Sequence, residues 1–254
     1  MTDEQPIAIP PELVQQLRRA QHVVVLTGAG TSAESGVPTF RDAQTGLWAQ
    51  YDPQQLATPE AFRANPRLIW EWYTWRRELV AKAQPNPGHH ALVELEQHVP
   101  QFTLITQNVD GMHQRSGSQN VIELHGNLTR TKRATDSVTV ETWEPPEDGI
   151  PRCPETGSML RPDVVWFGEM LPEKALQQAA DASTSCDIFF SIGTSGVVQP
   201  AASLPHMAMQ AGATLVVINP DVTPHVSQTA YYLRGPSGEV LPRLVEALAH
   251  TSEE

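Results

Sequence analysis

A β-branched run followed at once by a glycine-rich turn most constrains the fold of this chain. Residues 22–27 read HVVVLT and lead into Gly28-Ala29-Gly30-Thr31-Ser32-Ala33. A short apolar run of this kind suits a strand buried on both faces of a parallel sheet. Gly28, Gly30 and Ala33 match G-x-G-x-x-A, where one glycine makes a tight turn and the next admits a pyrophosphate close to the backbone. The pattern repeats along the chain: 102–106, 121–124, 187–192 and 214–218 are further short strands. Stretches 11–20 and 201–212 carry helical spacing. Strands and helices that alternate in this way predict an α/β fold with a Rossmann-like, doubly wound parallel sheet. The glycine spacing alone fits an ordinary βα turn equally well. The acidic residue expected ~20 positions later is also missing, so a plain dehydrogenase fits poorly.

Two stretches interrupt the rhythm. Residues 28–101 are far longer than the ~30 that a crossover needs. Thr58-Pro59 and Asn65-Pro66 inside this stretch each read as a cap followed by proline at the first helical position. Within the helix predicted over 66–82, Leu68, Trp72, Trp75 and Leu79 form one apolar stripe, and Ile69, Tyr73, Arg76 and Val80 form the neighbouring one. The second interruption, 127–159, is polar and proline-rich, with an alternating run at 137–143 in which Val138 and Val140 suit a hairpin strand and Trp143 falls just beyond it. A large part over about 1–38, 86–126 and 160–254 is therefore expected. A smaller part would comprise a helical module at 39–85 and an irregular module at 127–159.

The 254 residues carry 17 basic and 29 acidic side chains, a net charge of -12. Nucleic-acid and anionic-membrane binders need a basic face, so neither is expected as a partner. No apolar run approaches the ~20 residues of a membrane span, and the acidic start is unlike a signal or transit peptide. Two cysteines are too few for a disulfide framework, and the expected compartment is a reducing cytoplasm.

Three blocks place reactive side chains just past strand ends, where ligands bind in open α/β sheets. They are Thr31 to Asp42, Thr106-Gln107-Asn108-Val109-Asp110-Gly111-Met112-His113, and Glu123-Leu124-His125-Gly126. Gln107 and Asn108 suit ribose hydroxyls or an amide, Asp110 can accept from a carboxamide, and His125 can act as a general base. The other histidines, His89 and His113 among them, carry no assigned role.

In this order, GAGTSAESGVPTFRD, TQNVDGMH, LHGN, RPDVVWFGE and GTSGVV resemble the sirtuins, the NAD-dependent protein deacylases. The resemblance runs over about 23–242 and implies that NAD and an acyl-lysine protein or peptide meet in a cleft between a large and a small domain. It makes Gly28, Ala29, Gly30, Ser32 and Ala33 the NAD-binding turn, with Phe40 and Arg41 in a loop over the co-substrate. It gives Gln107, Asn108 and Asp110 the nicotinamide ribose and carboxamide. Gly193, Thr194 and Ser195 would hold phosphate or ribose, Asn219 the adenosine ribose, and Ser237 the adenine. His125, aided by Asn108, would be the catalytic centre. Val164, Val165, Trp166, Phe167 and Gly168 would pair with the peptide and line the acyl-lysine channel, although Val164, Val165 and Phe167 also suit a core strand. The implied products are nicotinamide, O-acyl-ADP-ribose and free lysine.

Tyr73 and Arg76 are three apart and share a helix face. Tyr-x-x-Arg here is similar to the class III sirtuins, which remove succinyl, malonyl and glutaryl groups. In those enzymes arginine pairs with the distal carboxylate, tyrosine donates to it, and a small residue such as Ala57 widens the pocket. Arg77 is the rival for the arginine role. Most sirtuins also carry two Cys-x-x-Cys pairs. This chain has Arg133, Asp136, Cys153 and Thr156 at those positions, one ligand where a structural zinc needs four. No metal is expected. The small module should be held by backbone pairing, by burial of some of Val138, Val140 and Trp143, and by an Arg133–Asp136 contact. A plain deacetylase, an ADP-ribosyltransferase or NAD hydrolase, and a non-catalytic NAD-sensing or partner-binding module remain as alternatives.

Overall fold

The computed structural model describes residues 8–38, 50–144, 147 and 149–250. In chain order it forms α1 (Pro11–Arg19), β1 (His22–Thr27), α2 (Gly30–Ala33), α3 (Pro53–Leu56), α4 (Pro59–Ala64) and α5 (Pro66–Lys82). There follow α6 (Pro87–His98), β2 (Gln101–Thr106), α7 (Met112–Ser116), β3 (Val121–Glu123), β4 (Gly126–Arg133) and β5 (Leu160–Val164). The last part is α8 (Glu173–Ser185), β6 (Ile188–Ile192), α9 (Leu204–Gln210), β7 (Thr214–Asn219), β8 (Tyr231–Arg234) and α10 (Ser237–Ala249).

Six strands form one sheet in the order β3-β2-β1-β6-β7-β8, and every pairing is parallel. β1 lies in the middle and alternates its side chains between two cores. Val23 and Val25 pack with α1, α6 and α10, whereas Val24 and Leu26 pack with α8 and α9. Burial on both faces explains why β1, β6 and β7 read as continuous apolar runs. This is the Rossmann-like α/β sheet that the strand and helix alternation predicts.

A third core joins α3–α5 to the antiparallel pair β4 and β5. The caps predicted at Thr58 and Asn65 are present: Thr58 Oγ1 accepts from Ala61 N at 3.1 Å, and Asn65 Oδ1 accepts from Leu68 N at 3.1 Å. The buried face of α5 differs from the expected one. Ile69, Tyr73 and Val80 are buried together with Trp70 and Trp72, whereas Leu68 and Trp75 are only partly buried. The helix is wedged between α4 and the β4–β5 pair, so its apolar face is wider than a single stripe and is shifted toward Tyr73.

The run at 137–143 is not a strand. It makes an isolated bridge, Lys132 to Thr139, with Arg133 N donating to Val138 O at 2.9 Å and Val140 N to Thr131 O at 2.8 Å. Val138 points outward, 48% exposed, while Val140 and Trp143 pack partly on the third core, Trp143 with its ring 5.5 Å from that of Trp70. The strands of this module are β4 and β5, which lie at its two ends.

Candidate active site

The carboxyl ends of β1, β2 and β6 are level, with Thr27 opposite both Thr106 and Ile192. From β1 the chain winds outward through β2 and β3, then returns to the other side of β1 as β6. The crevice at such a reversal is where open α/β sheets bind ligands. The turns after β1 and β6 interlock there. Gly28 N donates to Ile192 O at 3.0 Å, and Gly30 N donates to Gly193 O at 2.9 Å. A Cβ on Gly28 would lie 2.8 Å from Gly193 O, and one on Gly193 (φ +60°) only 2.5 Å from Thr31 N. These glycines are therefore required by the contact between the two turns, before any ligand is considered.

The same rim carries Thr194, whose hydroxyl pairs with Ser191 Oγ at 3.1 Å and whose carbonyl accepts from Asn219 Nδ2 at 2.9 Å. Ser195 follows, half-buried. Ser237 is buried at the start of α10, where its hydroxyl and Gly238 N donate to the Glu34 carboxylate at 3.3 and 2.8 Å. Asn219 and Ser237 thus spend polar atoms on neighbouring protein groups.

A cleft opens between this rim and the small part. Ala29 and Ser32 line it from the first turn, Gln107, Asn108 and Asp110 from the second, Arg76 and Val80 from α5, and Leu128 from β4. Asn108 Nδ2 donates to Gly28 O at 3.0 Å and to Ser32 Oγ at 3.2 Å, which ties the second block to the first. Asp110 accepts from Met112 N at 2.9 Å. Burial pushes its carboxyl above the ordinary value, opposed by hydrogen bonds from Met112 N and Ser32 and by the Arg76 and Arg115 charges.

His125 Nδ1 lies 2.9 Å from Gln107 O. A carbonyl can only accept, so Nδ1 carries the proton and Nε2 of the neutral ring is the bare nitrogen. Burial lowers its pKa below 6.5, and the Gln107 bond opposes this. His125 O accepts from Val165 N at 2.9 Å, so the imidazole is held between the β2 turn and the segment after β5.

Two histidines given no role lie directly behind this site. Asn86 N donates to His89 Nδ1 at 3.2 Å, which leaves the ring proton on Nε2, 3.4 Å from Ser32 Oγ. His113 Nε2 is 2.9 Å from Thr27 Oγ1, which donates to Thr106 Oγ1. The rings pack 4.9 Å apart, and burial holds both neutral, His89 at about 4 and His113 at about 3. They anchor the hydroxyls that hold Asn108. Their signal was local: His113 sits in the second block, and His89 is three residues after the capping Asn86.

Toward α3 and the segment after β5, Ala57 is buried and its carbonyl accepts from Phe167 N at 2.9 Å. Val164 and Trp166 are buried in the third core, Val165 is half-buried, and Phe167 and Gly168 are exposed. Of the three apolar residues that suited a core strand, Phe167 does not take that role. Tyr73 is fully buried, accepts from Trp166 Nε1 at 2.8 Å, and is pushed up to about 12, chiefly by burial. Arg76 lies half-buried at the cleft, 5.1 Å over the Trp72 ring. Arg77 is turned away: its guanidinium donates to the Leu128 and Arg130 carbonyls and to Thr131 Oγ1 on β4. Phe40 and Arg41 lie outside the described residues.

At the positions of the zinc ligands, Arg133 makes two hydrogen bonds to Asp136, at 2.9 and 2.7 Å, and Cys153 is a free, buried thiol. Among the described residues no group of three or more His, Cys, Asp or Glu side chains could hold a metal ion, and no helix is long and apolar enough to cross a membrane.

Residues 28–200 match the model of the Sir2 family. The NAD-dependent protein deacylase 1 of Pseudomonas aeruginosa is 49% identical over 241 residues, 92% of this chain and 96% of that protein. The NAD-dependent protein deacylase of Aquifex aeolicus is 52% identical over 80% of this chain and 85% of its own length. Among solved structures, a Sir2 homolog–NAD complex superposes with a TM-score of 0.89 at 45% identity and 96% coverage of both chains. A Sir2–p53 peptide–NAD+ structure gives 0.82 at 31% identity, over 94% of this chain and 98% of that one. By its motifs, its fold and these likenesses, the chain belongs to the Sir2 family.

Proposed function

We propose that this chain removes acyl groups with a distal carboxylate (succinyl, malonyl or glutaryl) from protein lysines, with NAD as co-substrate. The broader activity, NAD-dependent protein deacylation, follows from membership of the family and from relatives that bear that name over more than nine-tenths of the chain. The cleft suits the co-substrate: Gly28, Gly30 and Gly193 bring backbone close to the rim, and the buried Asn108 and Asp110 present an amide and a carboxylate.

NAD supplies an electrophilic ribose carbon and a departing nicotinamide. In our reading the first turn (Gly28, Ala29, Gly30, Ser32, Ala33) and the rim of Gly193, Thr194 and Ser195 cradle the phosphates, and Asn219 and Ser237 lie on the adenosine side. Gln107, Asn108 and Asp110 orient the nicotinamide ribose and carboxamide. His125, with Nδ1 committed to Gln107 O, takes a ribose hydroxyl proton on Nε2. The segment Val164, Val165, Trp166, Phe167 and Gly168 pairs with the peptide backbone. Two buried free thiols suit a reducing cytoplasm.

One observation carries the acidic-acyl reading: Arg76 faces the cleft beside Tyr73, while Arg77 is committed to β4. Guanidinium offers paired donors to a carboxylate. The competing role for Arg76 is to balance Asp110. Arg76→Met separates the two. It should lower kcat/KM on a succinyl-lysine peptide by about 10- to 100-fold, the scale of a charged hydrogen bond, and leave the acetyl-lysine version within about twofold. Equal losses on both peptides would assign Arg76 to Asp110 and remove the acidic-acyl reading.

A further inference from the structure

Trp166 lies just past β5, and its indole is fixed on several sides. The Arg161 guanidinium stacks 3.3 Å from the ring centroid, and the Phe62 ring leans against it at 5.3 Å. Glu169 accepts from Trp166 N at 2.8 Å and from Arg161 Nη2 at 2.8 Å, so one carboxylate ties down both the backbone and the stacked cation. The ring so held points Nε1 at the Tyr73 hydroxyl, 2.8 Å away.

The direction of that bond is determined. An indole N–H only donates, so the Tyr73 oxygen accepts. Tyr73 is 0% exposed, and among the described residues its oxygen makes no other hydrogen bond. Its own O–H is therefore a buried donor that lacks an acceptor, a state that costs free energy until an acceptor arrives. Burial also keeps the phenol protonated, so it remains a donor at neutral pH. Arg76, one helical turn away on the same face, supplies the positive charge that draws an anionic acceptor to this place.

We propose that Trp166 is a positioning residue for acyl selectivity: its indole N–H takes up a lone pair of Tyr73 and so turns the phenolic O–H toward the distal carboxylate of the acyl group. The inference rests on the carboxylate reading of Tyr73 and Arg76 above, and it adds a third residue with a defined hydrogen-bond direction. Arg161 and Glu169 act one step further back, by holding the indole.

The test is a double-mutant cycle with Trp166→Phe and Tyr73→Phe, read as kcat/KM on succinyl-lysine and acetyl-lysine versions of one peptide at saturating NAD. Trp166→Phe should lower the ratio of kcat/KM on the succinyl-lysine peptide to that on the acetyl-lysine peptide by about 3- to 10-fold, the scale of one neutral hydrogen bond, mostly through KM for the succinyl peptide. In the Tyr73→Phe background the same change should have no further effect on that ratio, because no hydroxyl is left to orient. Equal losses on both peptides, or an undiminished Trp166 effect in the Tyr73→Phe background, would overturn the proposal. Loss with Tyr73→Phe but none with Trp166→Phe would overturn it while leaving the carboxylate reading intact. No loss with Tyr73→Phe would remove both. If Trp166→Phe folds poorly, 3-benzothienylalanine at 166 keeps the bicyclic ring and deletes only the N–H. It should reproduce the selective loss, and unchanged desuccinylation with it would overturn the proposal.

Discussion

Alanine at position 193 would place a methyl group 2.5 Å from the Thr31 backbone nitrogen and 2.8 Å from the Gly30 carbonyl carbon. Both neighbours are backbone in the interlocked turns, so neither can swing aside as a side-chain tip would. Gly193 also has φ +60°, which costs an L-residue about 1–2 kcal/mol. Forcing a methyl into a filled site adds about 1–3 kcal/mol. Gly193→Ala should therefore destabilise the chain by about 2–5 kcal/mol in urea unfolding, and should weaken NAD binding at least about tenfold by calorimetry. Gly212→Ala is the control: φ is +99°, but nothing lies within 4 Å of the added methyl, so only the backbone cost of about 1–2 kcal/mol applies. Equal losses for the two variants, with NAD binding unchanged at 193, would refute the argument that the turn contact shapes the co-substrate site.

His125→Ala should lower deacylation by about 10²–10⁴-fold while NAD binding persists. Because burial depresses the His125 pKa, the proposed base should lose its function only on acidification below the ordinary histidine range, and kcat/KM of the unaltered enzyme should fall there. A rate that declines with an apparent pKa above 7 would argue against His125 as the base. In the small module, Trp143→Ala should lower the melting temperature more than Asp136→Ala, since the Trp143 ring packs on Trp70 while the Asp136 carboxylate that pairs with Arg133 is open to solvent. Chelator should change neither activity nor melting temperature, and inactivation by chelator would disprove the expectation of a metal-free module.

The strands that carry the site were readable because the sheet buries them on both faces. The runs at 22–27 and 102–106 appear in the structure as His22–Thr27 and Gln101–Thr106, and the turns proposed to hold NAD follow them directly. β8 was missed because Tyr231–Arg234 is short, half-buried at the sheet edge and without β-branched residues. β4 was missed because its outward positions are charged: Arg130 and Lys132 pair with Asp163. The 137–143 run alternates like a strand, yet Ser137 takes φ +60° and Val138 turns to solvent, so alternation there misled. Helical spacing brought Tyr73 and Arg76 together but left Arg77 as a rival, because only the fold shows β4 beside α5. The Trp166–Tyr73 bond spans 93 positions and has no local signature.

The most direct measurement is kcat/KM of the purified chain on one peptide bearing succinyl-lysine or acetyl-lysine at the same position, with NAD, followed as nicotinamide release and peptide mass. The account predicts NAD-dependent release of free lysine from both, with the succinyl peptide preferred by at least about tenfold, the scale of one charged hydrogen bond. Equal rates, or a preference for acetyl-lysine, would contradict the role given to Tyr73 and Arg76. Release of nicotinamide with no loss of the acyl group from either peptide would contradict lysine deacylation itself.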